Sequence, residues 1–183
     1  MTFAALEFVG GFLPLVVIGH LLVRRWLPTM AGAWLLLASA AFYGLTAPSF
    51  LPLLAASIVG NHLIARRLAA TDGVARTRWL QLGLVINLGA LAVFKYAGFA
   101  LANLAAVTGV ELAPPHLGFP LGISFFTLQQ VVFLVDCAER LATPARLRDH
   151  ALFTSFFPYV TSGPIVRHKD VRAALAGADP TDD

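Results

Sequence analysis

The sequence predicts an all-α fold: a polytopic membrane helix bundle of about five transmembrane helices with one additional re-entrant or interfacial segment. Of its 183 residues, 58% are hydrophobic and 13% are charged, whereas a soluble domain has about 25% charged residues. The mean hydropathy is +0.76. The Lys and Arg residues are also grouped between apolar segments, as in multi-pass proteins. These three observations indicate that lipid surrounds most of the chain.

Five apolar segments approach the length of about 20 residues that a helix needs to cross the hydrocarbon core. In chain order they are residues 3–23, 31–47, 49–65, 79–107 and 118–138. The fourth is too long for one perpendicular crossing, so it is predicted to be a tilted helix or a helix broken near Gly98. Lys95 in that segment either snorkels to the outer interface or is buried against a partner. Asn87, with Gly83 and Gly89 nearby, predicts a close contact between helices.

The basic residues predict the orientation of the bundle. If the first segment runs from outside to inside, the loops 24–30, 66–78 and 139–149 and the tail after residue 166 are cytoplasmic. Together these regions hold 12 of the 13 Lys and Arg residues. We therefore expect an N-terminus outside and a cytoplasmic C-terminal tail. The same bias explains the net charge of +3, so no nucleic-acid partner is expected. Because no basic region precedes the first apolar segment, it is not expected to be a cleavable signal peptide.

A sixth, shorter apolar segment, residues 151–166, lies between two regions predicted to be cytoplasmic. It cannot cross the membrane once, so it either dips in and returns or lies along the inner interface. Gly163 and Pro164 would permit a turn. Non-helical backbone at this depth requires protein or water to satisfy it. The basic residues Arg167, His168 and Lys169 that follow would anchor this corner to anionic lipid or form part of a substrate entrance.

Polar side chains occupy one side of the fifth apolar segment. Leu121, Phe125, Leu128, Val132 and Val135 form a narrow apolar stripe at helical spacing. The rest of the circumference carries Ser124, Thr127, Gln129, Gln130 and Asp136. Because lipid does not tolerate two glutamines and a carboxylate, this side is predicted to face protein or a water-filled cavity. The five residues either line a substrate passage or hold neighbouring helices together by hydrogen bonds.

Metal and cofactor chemistry is not predicted. None of the five histidines has the spacing of a metal motif, and no nucleotide-binding loop is present. His20 and His62 are interpreted as hydrogen-bonded structural residues, whereas His116, His150 and His168 are expected at interfaces or in loops. Cys137 is interpreted as a small packing residue at the end of an apolar helix.

Four stretches together carry a resemblance to a known family. The more specific two are "FPLGISFFTLQQVVFLVDCAER" at 119–140 and "FTSFFPYVTSGPIVRHKD" at 153–170, and the weaker two are "LASAAFYG" at 37–44 and "VINLGALAVFKYAGF" at 85–99. In this order they resemble the membrane-bound O-acyltransferases (MBOAT), and most closely the bacterial alginate O-acetyltransferase branch. The chain is also similar to the teichoic-acid D-alanyl transferases of that family.

The resemblance implies that residues 1–183 form the N-terminal portion of a single MBOAT-type membrane domain in the bacterial inner membrane. Family members are more than twice this long. Their catalytic histidine is expected beyond residue 183, and that role is carried over to none of the histidines here, so the chain alone is expected to be inactive. The full protein would transfer an acyl group, expected to be acetyl, to hydroxyls of an extracytoplasmic polysaccharide such as alginate.

The resemblance also implies where the substrates and partners would lie. Acetyl-CoA or an acylated carrier, as a substrate and not a cofactor, would arrive from the cytoplasmic side, with Arg167, His168 and Lys169 at its entrance. Partner acetylation proteins would act on the outer face. A second hypothesis is a non-catalytic membrane scaffold or a transporter subunit that uses the polar face as a conduit. Inverted repeats would favour a transporter, and none is evident.

Overall fold

The structure is a computed structural model that describes residues 7–109, 118–144 and 146–160. Within these ranges it contains seven α-helices and no strand, which confirms the all-α prediction. We number them α1 (Leu13–Trp26), α2 (Ala31–Thr46), α3 (Leu51–Ala70), α4 (Gly73–Thr108), α5 (Ile123–Ala138), α6 (Leu147–Ser155) and α7 (Phe157–Val160).

Proline sets the first two connections of the bundle. A π-helical turn, Phe8–Phe12, leads directly into α1. Short 3₁₀ turns that begin at Pro28 and Pro48 precede α2 and α3. Proline suits the first position of a helix, because its fixed φ is helical and its missing N–H would have no partner there. The chain therefore reverses direction over a few residues at each point.

Four helical stretches of the described chain are long and apolar enough to cross a membrane: Phe8–Trp26, Pro28–Thr46, Pro48–Ala70 and Gly73–Thr108. The fifth predicted span, residues 118–138, is shorter than expected, because its helix begins only at Ile123 and has 16 residues. Gly118 and Gly122 have φ of +65° and +68°, a left-handed conformation that keeps this stretch out of the helix. A helix of 16 residues spans about 24 Å, less than the hydrocarbon core of about 30 Å.

The fourth helix is continuous. It runs without a break through Gly98 over 36 residues, so the alternative of a helix broken at that glycine is wrong. Its length of about 54 Å exceeds the bilayer core and requires tilt or an extension beyond the other helices. Lys95 is exposed on this helix, with its Nζ 5.5 Å from the centroid of the Tyr96 ring. Within the described chain it is thus a surface residue and has no buried partner.

The loops that carry arginines meet at one end of the bundle. Asp72, between α3 and α4, forms salt bridges with Arg76 and with Arg140, which follows α5. Arg148 in α6 donates a hydrogen bond of 3.3 Å to the carbonyl of Thr29, between α1 and α2. The three loops predicted to be cytoplasmic therefore share one face, which we call the arginine end. The contact of Gly118 with the Phe50 ring lies at the opposite end.

The segment after the arginine end enters the bundle. α6 begins near Thr29, and the backbone N–H of Phe157 donates to Ser39 Oγ at 3.3 Å. Thr29 and Ser39 are ten residues apart, which is about 15 Å at the rise of an α-helix. The Phe157 ring packs against Phe8 and Phe42, at centroid distances of 6.1 and 5.8 Å. Over its described part this segment therefore packs into the bundle, as the re-entrant alternative predicts. Its predicted return past Gly163 and Pro164 lies outside the described residues.

Candidate functional site

The polar side of α5 faces the interior of the bundle. Thr127, Gln129 and Gln130 are 2%, 2% and 0% exposed, while Ser124 and Asp136 are half-buried. Leu128, in the middle of the apolar stripe, is exposed. The helix thus has the orientation that its amphipathic pattern indicates. Whether the five polar residues form a passage stays a prediction.

The start of α5 is fixed by contacts with α2 and with the 3₁₀ turn that precedes α3. The hydroxyl of Tyr43 in α2, which is fully buried, donates a hydrogen bond of 3.0 Å to the carbonyl of Leu121. A Cβ on Gly118 would lie 2.9 Å from the Phe50 ring, so only glycine allows this close approach. Together with the left-handed conformation of Gly122, these contacts set where the polar side chains of α5 begin.

A pair of asparagines joins α3 to α4 in the interior. Asn87 Nδ2 donates to Asn61 Oδ1 at 2.6 Å, and Asn61 Nδ2 donates to Asn87 Oδ1 at 3.2 Å. Both side chains are buried. One turn away, Gly83 gives Leu134 of α5 close access to α4, since a Cβ there would lie 2.4 Å from Leu134 Cδ1. This confirms the close helix contact predicted around Asn87.

Helix geometry places Gln130 at the same depth as this pair. Gln130 lies one turn before Leu134 on α5, and Asn87 lies one turn after Gly83 on α4. The two helices run antiparallel, so the side chains of Gln130, Asn87 and Asn61 lie at the same depth. Three amide side chains from three helices therefore form one polar layer inside a largely apolar bundle.

Two histidines form a second polar group next to this layer. The rings of His62 in α3 and His150 in α6 are 5.8 Å apart, and the ring of Phe133 in α5 is 4.5 Å from that of His150. His150 is fully buried and lies in α6, so its expected position in a loop is wrong. Its location follows from the entry of α6 into the bundle, which no local pattern around this residue indicates. Gln129 lies one turn before Phe133 on the same side of α5.

Several buried polar atoms in this region have unused hydrogen-bonding capacity. Within the described part of the chain, Gln129 Oε1, both terminal atoms of Gln130 and His62 Nδ1 have no hydrogen-bond partner. A buried polar group that is left unsatisfied costs about 1–3 kcal/mol. The interior can therefore hold water, a polar substrate group or a further polar side chain by hydrogen bonds, without a charged residue.

A cavity of about 600 Å³ opens at the arginine end, beside this histidine group. Its polar lining residues are His62, Arg66 and Arg146. The predicted donor-entrance residues Arg167, His168 and Lys169 lie outside the described residues. No cluster of three or more His, Cys, Asp or Glu side chains that could bind a metal occurs in the part of the chain that the structure describes.

The fold and the site define a multi-pass membrane protein with an amide-rich interior. Comparison with curated proteins then gives the family. The chain is 35% identical to the peptidoglycan O-acetyltransferase of Helicobacter pylori, over 90% of its own length and 36% of that protein. It is 36% identical to the probable alginate O-acetylases AlgI of Azotobacter vinelandii and Pseudomonas aeruginosa, over 93% of its length and 35% and 34% of theirs.

These relatives confirm the predicted resemblance to membrane-bound O-acyltransferases of the alginate O-acetylase type, of which the chain matches the N-terminal part. It spans about a third of the length of the curated relatives it matches. No family model matches the sequence. No solved structure matches it either.

Proposed function

We propose that this chain is part of a membrane O-acetyltransferase that esterifies hydroxyl groups of an extracytoplasmic polysaccharide. The observation that carries the proposal is its similarity, over nine-tenths of its length, to relatives named as O-acetyltransferases of peptidoglycan or alginate. Both acceptors are polymers that carry sugar hydroxyls, so the acceptor class is a polysaccharide. A scaffold or transporter role receives no support from these relatives.

The proposed orientation places the protein in the inner membrane with the arginine end in the cytoplasm and the N-terminus outside. The salt bridges of Asp72 with Arg76 and Arg140 support this, because they gather the basic loops on one face of the bundle. The acyl donor, acetyl-CoA or an acylated carrier, would then arrive at the arginine end. Arg167, His168 and Lys169 would attract its negative charge. Partner acetylation proteins would act at the opposite face.

The buried side of α5 is the proposed passage, lined by Ser124, Thr127, Gln129, Gln130 and Asp136. The supporting observation is the unused hydrogen-bonding capacity of Gln129 and Gln130 in a membrane bundle. Neutral amides can bind a carbonyl or a hydroxyl, and they orient it without introducing a charge into a low-dielectric site. The base that activates the acceptor hydroxyl would be a histidine beyond residue 183, so no residue of this chain is assigned a catalytic role.

The experiment uses the complete gene in its own host, from which the chromosomal copy has been deleted. The gene is restored as wild type, as Gln129→Leu with Gln130→Leu, or as Leu128→Ala, an exposed control position on the same helix. Ester-linked acetate on the exported polysaccharide is measured at matched protein levels.

We expect the variant Gln129→Leu with Gln130→Leu to lower acetylation at least tenfold. The loss of one hydrogen bond of about 1.4 kcal/mol in the transition state slows a reaction about tenfold. The Leu128→Ala control should remain near wild type. Normal acetylation in the glutamine variant would refute the passage, and normal acetylation in the deleted strain would refute the function.

A further inference from the structure

The cavity at the arginine end is lined by two arginines that have no carboxylate partner among the described residues. It lies between the C-terminal part of α3 and the segment that leads into α6. Arg66 extends from the former and Arg146 from the latter. Pro144 and Leu147 contribute to its apolar wall. Two exposed arginines therefore line one opening whose other walls are largely apolar.

These two arginines differ from three others at the same end of the bundle. Arg76 and Arg140 share the Asp72 carboxylate, and Arg148 forms a salt bridge with Asp149. Over residues 7–109, 118–144 and 146–160, neither lining arginine has a carboxylate partner. Like charges that line one cavity repel each other unless an anion lies between them.

A buried polar atom provides an independent observation at the same cavity. His62 lies one turn before Arg66 on α3 and also lines the cavity. Its side chain is 7% exposed, and its Nδ1 has no hydrogen-bond partner among the described residues. Because His62 is part of the cavity wall, its imidazole can contact a ligand that enters between the two arginines.

We propose that Arg66, Arg146 and His62 form a binding site for a phosphate-bearing ligand. A phosphate group offers several oxygens, so it can accept bidentate hydrogen bonds from two guanidinium groups and a further one from an imidazole. The apolar wall suits a phosphate that is attached to a less polar body. The phosphate could belong to the headgroup of an anionic phospholipid or to a soluble acyl donor such as coenzyme A. The second source rests on the proposed function, whereas the first is independent of it.

The test compares charge-matched variants of the purified chain. The site variant is Arg66→Gln with Arg146→Gln. The control is Arg24→Gln with Arg25→Gln, which removes two exposed charges from the same end of the bundle. A second site variant, Arg66→Lys with Arg146→Lys, keeps both charges but loses the bidentate geometry. The thermal unfolding midpoint of each variant shows whether it is folded.

Two arms distinguish the sources of phosphate. In the first, native mass spectrometry counts retained phosphatidylglycerol and phosphatidylcholine molecules per chain. In the second, coenzyme A is titrated into the chain in phosphatidylcholine nanodiscs, with pantetheine as the probe without phosphate. Neither arm requires acyl transfer, so a failure of the site is separable from a failure of the proposed function.

We expect the glutamine variant to lose affinity at least tenfold in one arm, with the lysine variant between it and wild type. In the control variant, Arg24→Gln with Arg25→Gln, the affinity should change less than twofold in both arms. A loss in the first arm identifies a lipid headgroup, and a loss in the second identifies a soluble phosphate ester. If both site variants match the control in both arms, the proposal is overturned.

Discussion

The asparagine pair between α3 and α4 gives the sharpest test of the polar interior. Asn87→Leu removes both inter-helix hydrogen bonds with Asn61, whose lengths are 2.6 and 3.2 Å. Each side-chain hydrogen bond between membrane helices contributes about 0.6 kcal/mol on average and at most about 1.7. Two such bonds therefore predict a loss of about 1–2 kcal/mol in the free energy of unfolding. Within the described residues Asn61 then keeps its local bonds to Ser57, to the carbonyl at 2.9 Å and to Oγ at 3.4 Å.

The assay is reversible unfolding by sodium dodecyl sulfate in mixed micelles, followed by circular dichroism. The single variants Asn87→Leu and Asn61→Leu and their combination form a double-mutant cycle, for which we expect a coupling energy of about 1 kcal/mol. Asn103→Leu is the matched control on the same helix, because Asn103 is exposed and its one hydrogen bond among the described residues is to the Phe99 carbonyl. It should change stability by less than about 0.5 kcal/mol. If the effects of the single variants are strictly additive, or if Asn87→Leu has no larger effect than the control, the stabilising contact between Asn61 and Asn87 is refuted.

Two further predictions concern the contacts that orient the helices. A Cβ at Gly19 would lie 2.2 Å from Cζ2 of Trp34, so Gly19→Ala should displace the indole and its 3.0 Å bond to the Val16 carbonyl. We expect a loss of about 1–3 kcal/mol, measured by the same unfolding assay. An unchanged Trp fluorescence spectrum would contradict this displacement. Tyr43→Phe removes the hydrogen bond to Leu121 and should cost about 1 kcal/mol in unfolding free energy, whereas a neutral effect would show that this bond does not hold the start of α5.

The spanning helices could be predicted from the sequence because hydropathy and the positions of arginines are strong local signals. The residues at which these helices begin and end were harder to predict from the sequence. α4 begins at Gly73, six residues before the predicted apolar segment, because a helix continues into polar surroundings where Arg78 is exposed and Arg76 pairs with Asp72. α5 begins later than predicted, because the left-handed φ at Gly118 and Gly122 is a conformational choice that hydropathy does not report.

The inward orientation of Gln129 and Gln130 followed from the helical pattern, because polar groups avoid lipid. The pairing of His62 with His150 could not be predicted in the same way. His150 lies close to Arg146, Arg148 and Asp149, a local composition typical of a loop. Its burial depends on the packing of α6 against α3 and α5, which is a contact between distant parts of the chain. The cavity that Arg66 and Arg146 share is a tertiary feature of the same kind.

The most direct measurement of the central claim is the transfer of labelled acetyl groups to exported polysaccharide in cells. Cells are fed ¹³C-acetate, and alkali-labile ¹³C-acetate on the polysaccharide is measured in three strains: the parent, a strain that lacks the gene, and that strain with the complete gene restored. The account predicts label in the parent and the restored strain, and its loss in the strain without the gene. Equal labelling of the polysaccharide in all three strains would contradict it.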